Sequence, residues 1–257
     1  MKLLTIIVPS FKRQQELMFL ISTMTPSDTS EVTLLVGLDD CSYDLDYVPD
    51  FVSIHEFEKL GRFGVIKELS AKVVSKYVMI SDDDDFFLPG QLDLLLSILA
   101  SDDYLISPDD YNGLIFKSCR VDRAPDLNFD LLPEQIYLAD RRFKYNSSAD
   151  AKEVIFSEIF SECISKLKVF DGRFPSSFLW LELSDKPVLV FKQPIMTKFY
   201  KENGLSSGIS KGTVKGYRNY LNFHKRLLRY QIKKPGSRLL VIFTLIRIVF
   251  SKWKFRE

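Results

Sequence analysis

The chain has 257 residues, 46% of them hydrophobic and 27% charged, which is enough apolar material to bury the core of one large domain and excludes intrinsic disorder. The formal net charge of +1 hides a division. Residues 211–257 hold 13 Lys/Arg and one acid, a net +12, so residues 1–210 carry −11, and the two parts suit different partners.

Taken in chain order, MKLLTIIVPSF opens with a lysine and a six-residue apolar run. That run is too short for the core of a signal peptide and ends at Pro9 without a small-residue cleavage site, so Leu4 to Val8 reads as a first buried strand. Leu17, Leu20, Ile21 and Met24 then fall at i, i+3, i+4 and i+7, the stripe of a helix, and Val32 to Leu38 is strand-like again. The alternation continues with Phe51 to His55 as a strand and Phe63, Ile66, Leu69 and Val73 as a helix face. Tyr77 to Ser81 is the next strand, and Leu92, Leu95, Leu96 and Leu99 form a helix face after Pro89-Gly90. Strands interleaved with helices of this length predict an α/β fold with a mostly parallel sheet flanked by helices.

Beyond residue 100 the pattern loosens. Tyr104 to Ser107 and Leu114 to Val121 read as shorter strands, and an acidic, aromatic stretch runs from Asp122 to Asp150. Ala151, Ile155, Ile159 and Cys163 share one helical face, which predicts a helix from about Ala151 to Leu167. SSFLWLEL and the strand-like KPVLVFKQPIMTKFY follow, and together these pieces suggest a mixed-sheet extension. ENGLSSGISKG reads as a loop or linker before the basic tail. In that tail Leu239 to Phe250 is an apolar run of twelve interrupted by Arg247, well short of the roughly 20 residues a membrane span needs. Flanked by Arg238, Lys252, Lys254 and Arg256 and followed by Trp253, it suits either a basic helix lying at an anionic membrane surface or a terminal helix that caps the core. No nucleic-acid partner is expected. Cys41, Cys119 and Cys163 are scattered without metal-ligand spacing, which fits a reducing compartment and a cytoplasmic chain; the basic tail would hold it on the inner face of the membrane. His55 and His224 give no zinc site.

The densest feature is MISDDDDFFLP, residues 79–89, with four consecutive carboxylates behind an apolar strand. Carboxylates roughly 6 Å apart repel by about 0.7 kcal/mol in water and by about 3 kcal/mol in a protein cleft. Such a run needs water or a cation to compensate it. In an open parallel sheet, ligands bind beyond the carboxyl ends of the strands, and Asp82, Asp83, Asp84 and Asp85 lie at such an end. So do Pro9, Ser10 and Phe11 after the first strand and Asp39 and Asp40 after the second.

In this order and spacing, TIIVPSFKRQQEL, LLVGLDDCSYD and YVMISDDDDFFLPGQL resemble the motifs of the family 2 glycosyltransferases of the GT-A fold, over residues 1 to about 100. The resemblance implies a Rossmann-like domain over residues 1–210, with a nucleotide-sugar-binding half (1–100) and an acceptor half (101–210), followed by a basic amphipathic helical tail (211–257). It implies a nucleotide-sugar donor, most often UDP-linked, a glycan or lipid-linked glycan acceptor, and Mn²⁺ or Mg²⁺ as the cation between acids and diphosphate. By the family's pattern Asp84 ligates the metal, Asp82 contacts the ribose or the metal, and Asp83 and Asp85 shape the site or orient the donor sugar for catalysis. Pro9, Ser10 and Phe11 would hold the nucleobase, and Asp39 or Asp40 would accept its hydrogen bond. Cys41 stands where the family carries glycine. The family's basic element before the acidic run is absent, and Lys67, with Arg62 as second choice, is expected in its place. Glu182, with Asp185 as fallback, is expected to be the general base of an inverting reaction. Two rivals stay open: a phosphatase built on D-x-D-x-T/V, whose last position is here Phe86, and a catalytically silent relative serving another transferase.

Overall fold

The computed structural model describes residues 2–44, 47–101, 106–120, 127–147, 150–167, 177–198 and 217–233, and beyond them 241–242, 244–246 and 248–249. Among these residues the chain forms β1 (Leu4–Ser10), α1 (Gln14–Thr23), β2 (Val32–Asp39), β3 (Val52–Phe57), α2 (Gly61–Ser70), β4 (Tyr77–Ile80), β5 (Asp85–Phe87) and α3 (Gln91–Ala100). The second half gives β6 (Gly113–Arg120), α4 (Leu127–Asp130), β7 (Gln135–Ile136), α5 (Leu138–Phe143), β8 (Ala151–Phe156), α6 (Ser157–Lys166), α7 (Ser177–Glu182), β9 (Val188–Lys198) and α8 (Tyr217–Ile232). One nine-stranded sheet runs in the order β3-β2-β1-β4-β8-β6-β9-β5, with β7 paired to β9.

The first four strands are parallel, as their interleaving with helices predicts. β8 enters antiparallel between β4 and β6, so β6 and the parallel β9 again point the way β4 does. Along β1, Leu4, Ile6 and Val8 pack with α1 and α3, while Ile7 faces the other layer with α2 and α6, the period-2 alternation of a strand buried on both faces. The predicted helix stripes hold: Leu17, Leu20, Ile21 and Met24 are buried, as are Phe63, Ile66 and Leu69, and Leu92, Leu95, Leu96 and Leu99.

One expectation is corrected here. The helix predicted from Ala151 is a strand until Phe156 and a helix only from Ser157. Its i, i+4 spacing arises across the strand–helix junction. The run Val154-Ile155-Phe156 is wholly buried because it fills the slot between two strands, and tertiary pairing overrides the local helical pattern. Of the strand expected at Tyr104 to Ser107 only Ile106 and Ser107 are described, and neither is in a strand; the loop ENGLSSGISKG lies outside the described residues.

The described residues of the basic tail include several that pack on the body. In α8, Phe223 and Leu227 are buried in the second core, His224 is buried, and Tyr230 Oη donates to Asp140 Oδ1 at 2.8 Å. Thr244 Oγ1 donates to Gln231 Oε1 at 2.8 Å, and Ile248 is buried. The start of the tail therefore caps the core.

α2 lies against β2 at Gly37, where a Cβ would come within 2.2 Å of Val65 Cγ1. Gly37→Ala is expected to lower stability by about 1–3 kcal/mol through overpacking. The urea unfolding midpoint measures it, and an unchanged midpoint would contradict this packing.

Candidate active site

The site forms at the carboxyl edge of the parallel strands. β1 delivers Pro9 and Ser10 there, β2 delivers Asp39 and β4 leads into Asp82. Because β8 runs the opposite way, its first residues arrive at the same edge, and β9 reaches it with its last. Lys152 and Lys198 are thereby carried to the acidic run.

The four aspartates face four cations of the chain, two of which are shared between carboxylates. Arg62 pairs with Asp82 Oδ1, at 2.6 Å from Nη2 and 3.1 Å from Nε. Arg13 Nη1 lies 3.0 Å from both Asp83 Oδ1 and Asp84 Oδ2. Lys152 Nζ is paired with Asp85 Oδ2. Lys198 Nζ is 2.9 Å from Asp82 Oδ2 and 3.3 Å from Asp84 Oδ1. Burial opposes ionisation of Asp82, yet Arg62 and Lys198 hold its carboxyl well below the usual carboxylate range. Burial pushes the Asp83 carboxyl up, against the Ser10 hydroxyl and Arg13. It also pushes Asp85 up, against Lys152.

The predicted nucleotide-site residues lie around this cluster. Ser10 is buried and its Oγ donates to Asp83 Oδ2 at 2.7 Å. The Tyr43 hydroxyl contacts Ser10 Oγ at 3.0 Å and accepts from Arg13 N at 2.7 Å, tying the loop after β2 to the end of β1. Phe11 is 49% exposed, and Lys12 Nζ stands over its ring, 5.1 Å from the centroid. Asp39 caps α2: its Oδ1 and Oδ2 accept from the amides of Leu60 at 2.8 Å and Gly61 at 3.0 Å. Asp40, exposed and at φ +54°, is the carboxylate turned outward.

Three expected site residues lie apart from the crevice or within the turn beneath it. Lys67 is exposed on α2 and makes no ion pair or hydrogen bond through its side chain among the described residues, whereas Arg62, in the first turn, points back to Asp82. The cap at Asp39 fixes where α2 begins and so which residue faces the crevice. Asp85 is 1% exposed. With Oδ2 held by Lys152 and the Asp82 amide, it anchors the turn, which is the first of its two expected roles, shaping the site. Glu182 ends α7, paired with Arg226 of α8. The neighbouring Leu183 carbonyl accepts from Asn112 Nδ2 at 2.8 Å, and Asp185 Oδ1 accepts from the same amide at 2.7 Å. Asn112 precedes β6, and Val188 pairs with Gly113 at that end. Glu182 and Asp185 thus sit at the opposite edge of the sheet, separated from Lys198 by the length of the 8-residue β6 that β9 pairs with, on the order of 25 Å. Neither is placed to act as a base at the aspartates.

Sequence reasoning missed Lys152, Lys198 and Arg13. The first two come from strands whose order in the sheet is not written locally; Arg13 was in plain view, inside the first motif. Oxygens of Asp82, Asp84 and Asp85 lie within 4.8 Å of one another, and Asp84 Oδ1 is buried yet accepts no hydrogen bond. Hard oxygen donors so gathered fit Mg²⁺ or Mn²⁺.

Breaking a buried ion pair from one side leaves a buried charge uncompensated. Lys152→Met, whose partner side chain is 2% exposed, is expected to cost about 3–5 kcal/mol, and adding Asp85→Leu to recover most of it. Chemical denaturation of the single and double variants measures both. A single variant as stable as wild type would contradict the pairing.

No family model matches the chain. It is 22% identical over 243 residues, 87% of its own length and 74% of the relative's, to the GalNAc(5)-diNAcBac-PP-undecaprenol beta-1,3-glucosyltransferase of Campylobacter jejuni. Its structure is similar to that of S. aureus TarS 1-349 in complex with UDP-GlcNAc, with a TM-score of 0.66 at 13% identity, covering 99% of this chain and 73% of that one. It is also similar to the mannosyltransferase PcManGT from Pyrobaculum calidifontis in complex with GDP-Man and Mn²⁺, with a TM-score of 0.52 at 12% identity, covering 97% and 71%. The fold is therefore that of the GT-A glycosyltransferases, the one that the resemblance of the three motifs implies.

Proposed function

We propose that the chain is a metal-dependent inverting glycosyltransferase that moves a sugar from a nucleotide-sugar, UDP-linked, to a glycan or lipid-linked glycan in cell-surface polysaccharide synthesis. The observation that carries this reading is the convergence at one sheet edge of a half-exposed aromatic ring (Phe11), an exposed carboxylate (Asp40) and the acidic run from Asp82, within which oxygens of Asp82, Asp84 and Asp85 gather. It is the arrangement a nucleotide diphosphate needs. Phe11 would stack on the base, Asp40 would accept its N–H, and Asp82 and Asp84 would hold the cation. A divalent ion so held supplies charge to offset the departing diphosphate. Arg13 and Arg62, both partly exposed at the rim, add fixed positive charge beside that diphosphate. Relatives that bind UDP-GlcNAc, bind GDP-Man with Mn²⁺, or are named for transfer to an undecaprenol-linked glycan support the donor, metal and acceptor classes.

A ligand bound only by the folded state raises the melting temperature, by about 2.7 kcal/mol of added stability at a hundredfold excess over Kd. A thermal-shift screen of UDP-, GDP-, CMP- and dTDP-sugars with and without Mn²⁺ is expected to single out a UDP-sugar whose shift needs the metal. Asp84→Ala is expected to remove the metal-dependent part. Indifference to all donors and ions would overturn the proposal. The second reading, a catalytically silent relative, is favoured by one observation: each carboxylate of the cluster already has a protein cation. Release of free sugar from the bound donor, expected here, would be absent under that reading.

The tail supports attachment to a membrane surface. Residues 241–242, 244–246 and 248–249 are helical. Among them Thr244 and Ile248 are buried, while Ile242, Leu245, Ile246 and Val249 are exposed, at the sequence spacing i, i+3, i+4 and i+7. No helix of the described residues is long and apolar enough to cross a membrane. An apolar stripe within a segment of net +12 suits a helix lying in an anionic interface. Leu245→Glu with Ile246→Glu is expected to move the protein from the pellet of phosphatidylserine vesicles to the supernatant; unchanged sedimentation would sink this part.

A further inference from the structure

Lys198 ends β9 with its side chain drawn into the acid cluster, 11% exposed. Its Nζ lies 2.9 Å from Asp82 Oδ2, 3.3 Å from Asp84 Oδ1 and 3.8 Å from Asp85 Oδ1. These are the three carboxylates whose oxygens come within 4.8 Å of one another. The ammonium stands in the space between the donors that would surround a divalent ion. Such an ion needs those oxygens at about 2.1 Å, and two cations a few ångströms apart repel strongly in a cleft. They cannot share the site.

We propose that Lys198 is the resident counter-ion of the Asp82, Asp84 and Asp85 site, and that it and a divalent ion exclude one another there, so that Lys198 sets the metal affinity. The inference rests on the reading that these carboxylates hold the ion. Two features suit the lysine to exchange. Its flexible four-carbon stem ends a strand, so Nζ can swing away without moving the sheet. Asp84 Oδ1, although buried, accepts no hydrogen bond, so Lys198 meets it as a charge and not as a directed donor. In the bare protein the ammonium keeps metal affinity low, and the oxygens of a bound diphosphate, by adding ligands for the ion, favour the exchange.

Mn²⁺ titrations of wild type, Lys198→Met and Lys198→Met with Asp84→Asn, followed by electron paramagnetic resonance without nucleotide, test this directly. Lys198→Met is expected to bind Mn²⁺ about tenfold or more tightly than wild type, and Asp84→Asn to remove the gain. Equal or weaker binding by Lys198→Met overturns the role of Lys198 and leaves the metal site standing. Absence of binding by either protein overturns both. The wild type gives an answer that needs no variant: mass-spectrometric mapping of amine acylation is expected to show Lys198 more reactive when Mn²⁺ is added, and unchanged reactivity would contradict its expulsion.

Discussion

Charge compensation at one sheet edge is the constraint on which the site depends. Four adjacent carboxylates in a cleft would repel by about 3 kcal/mol per close pair, and the chain meets them with Arg13, Arg62, Lys152 and Lys198. The pairs differ in purpose. Asp85 and Lys152 are buried together and fix the turn. Asp82 and Asp84, at 36% and 15% side-chain exposure, remain within reach of the crevice, and their cations stand at its rim or within it.

The sheet makes this compensation possible. A purely parallel sheet would bring only strand carboxyl ends to the crevice. Inserting β8 antiparallel brings its first residues there as well, and returning β6 and β9 to the parallel direction brings Lys198. Asp85 and Lys198 are register partners in the β5–β9 pair, so the placement of the ammonium follows from backbone hydrogen bonding. Tyr43 and the Asp39 cap lock the loop after β2 and the start of α2 to the same edge.

Much of this was legible in the sequence. Strand ends at Ser10, Asp39 and Ser81 could be read because each element carries its own period, and the three motifs fall where those periods stop. The partners of the acids could not, because Lys152 and Lys198 lie 67 and 116 residues from the aspartates they pair with, and no local pattern encodes strand order. The same reason misplaced Glu182: a short match near Trp180 says nothing of which sheet edge it occupies, and the β6–β9 register puts it at the far one. Arg62 cannot be told from Lys67 by sequence, because the start of α2, set by a carboxylate 21 residues earlier, is not marked by its own residues. The run from Ala151 misled because a strand and a helix meet at Phe156.

The cluster would therefore switch between two neutralised states, one closed by Lys198 and one closed by a divalent ion shared with a diphosphate. Anomalous diffraction at the manganese edge, from crystals grown with UDP and Mn²⁺, tests this most directly. The expected map has one strong peak bounded by Asp82 and Asp84, the diphosphate beside it and Lys198 Nζ moved out. A map with UDP bound, no peak at these carboxylates and Lys198 still among them would contradict it.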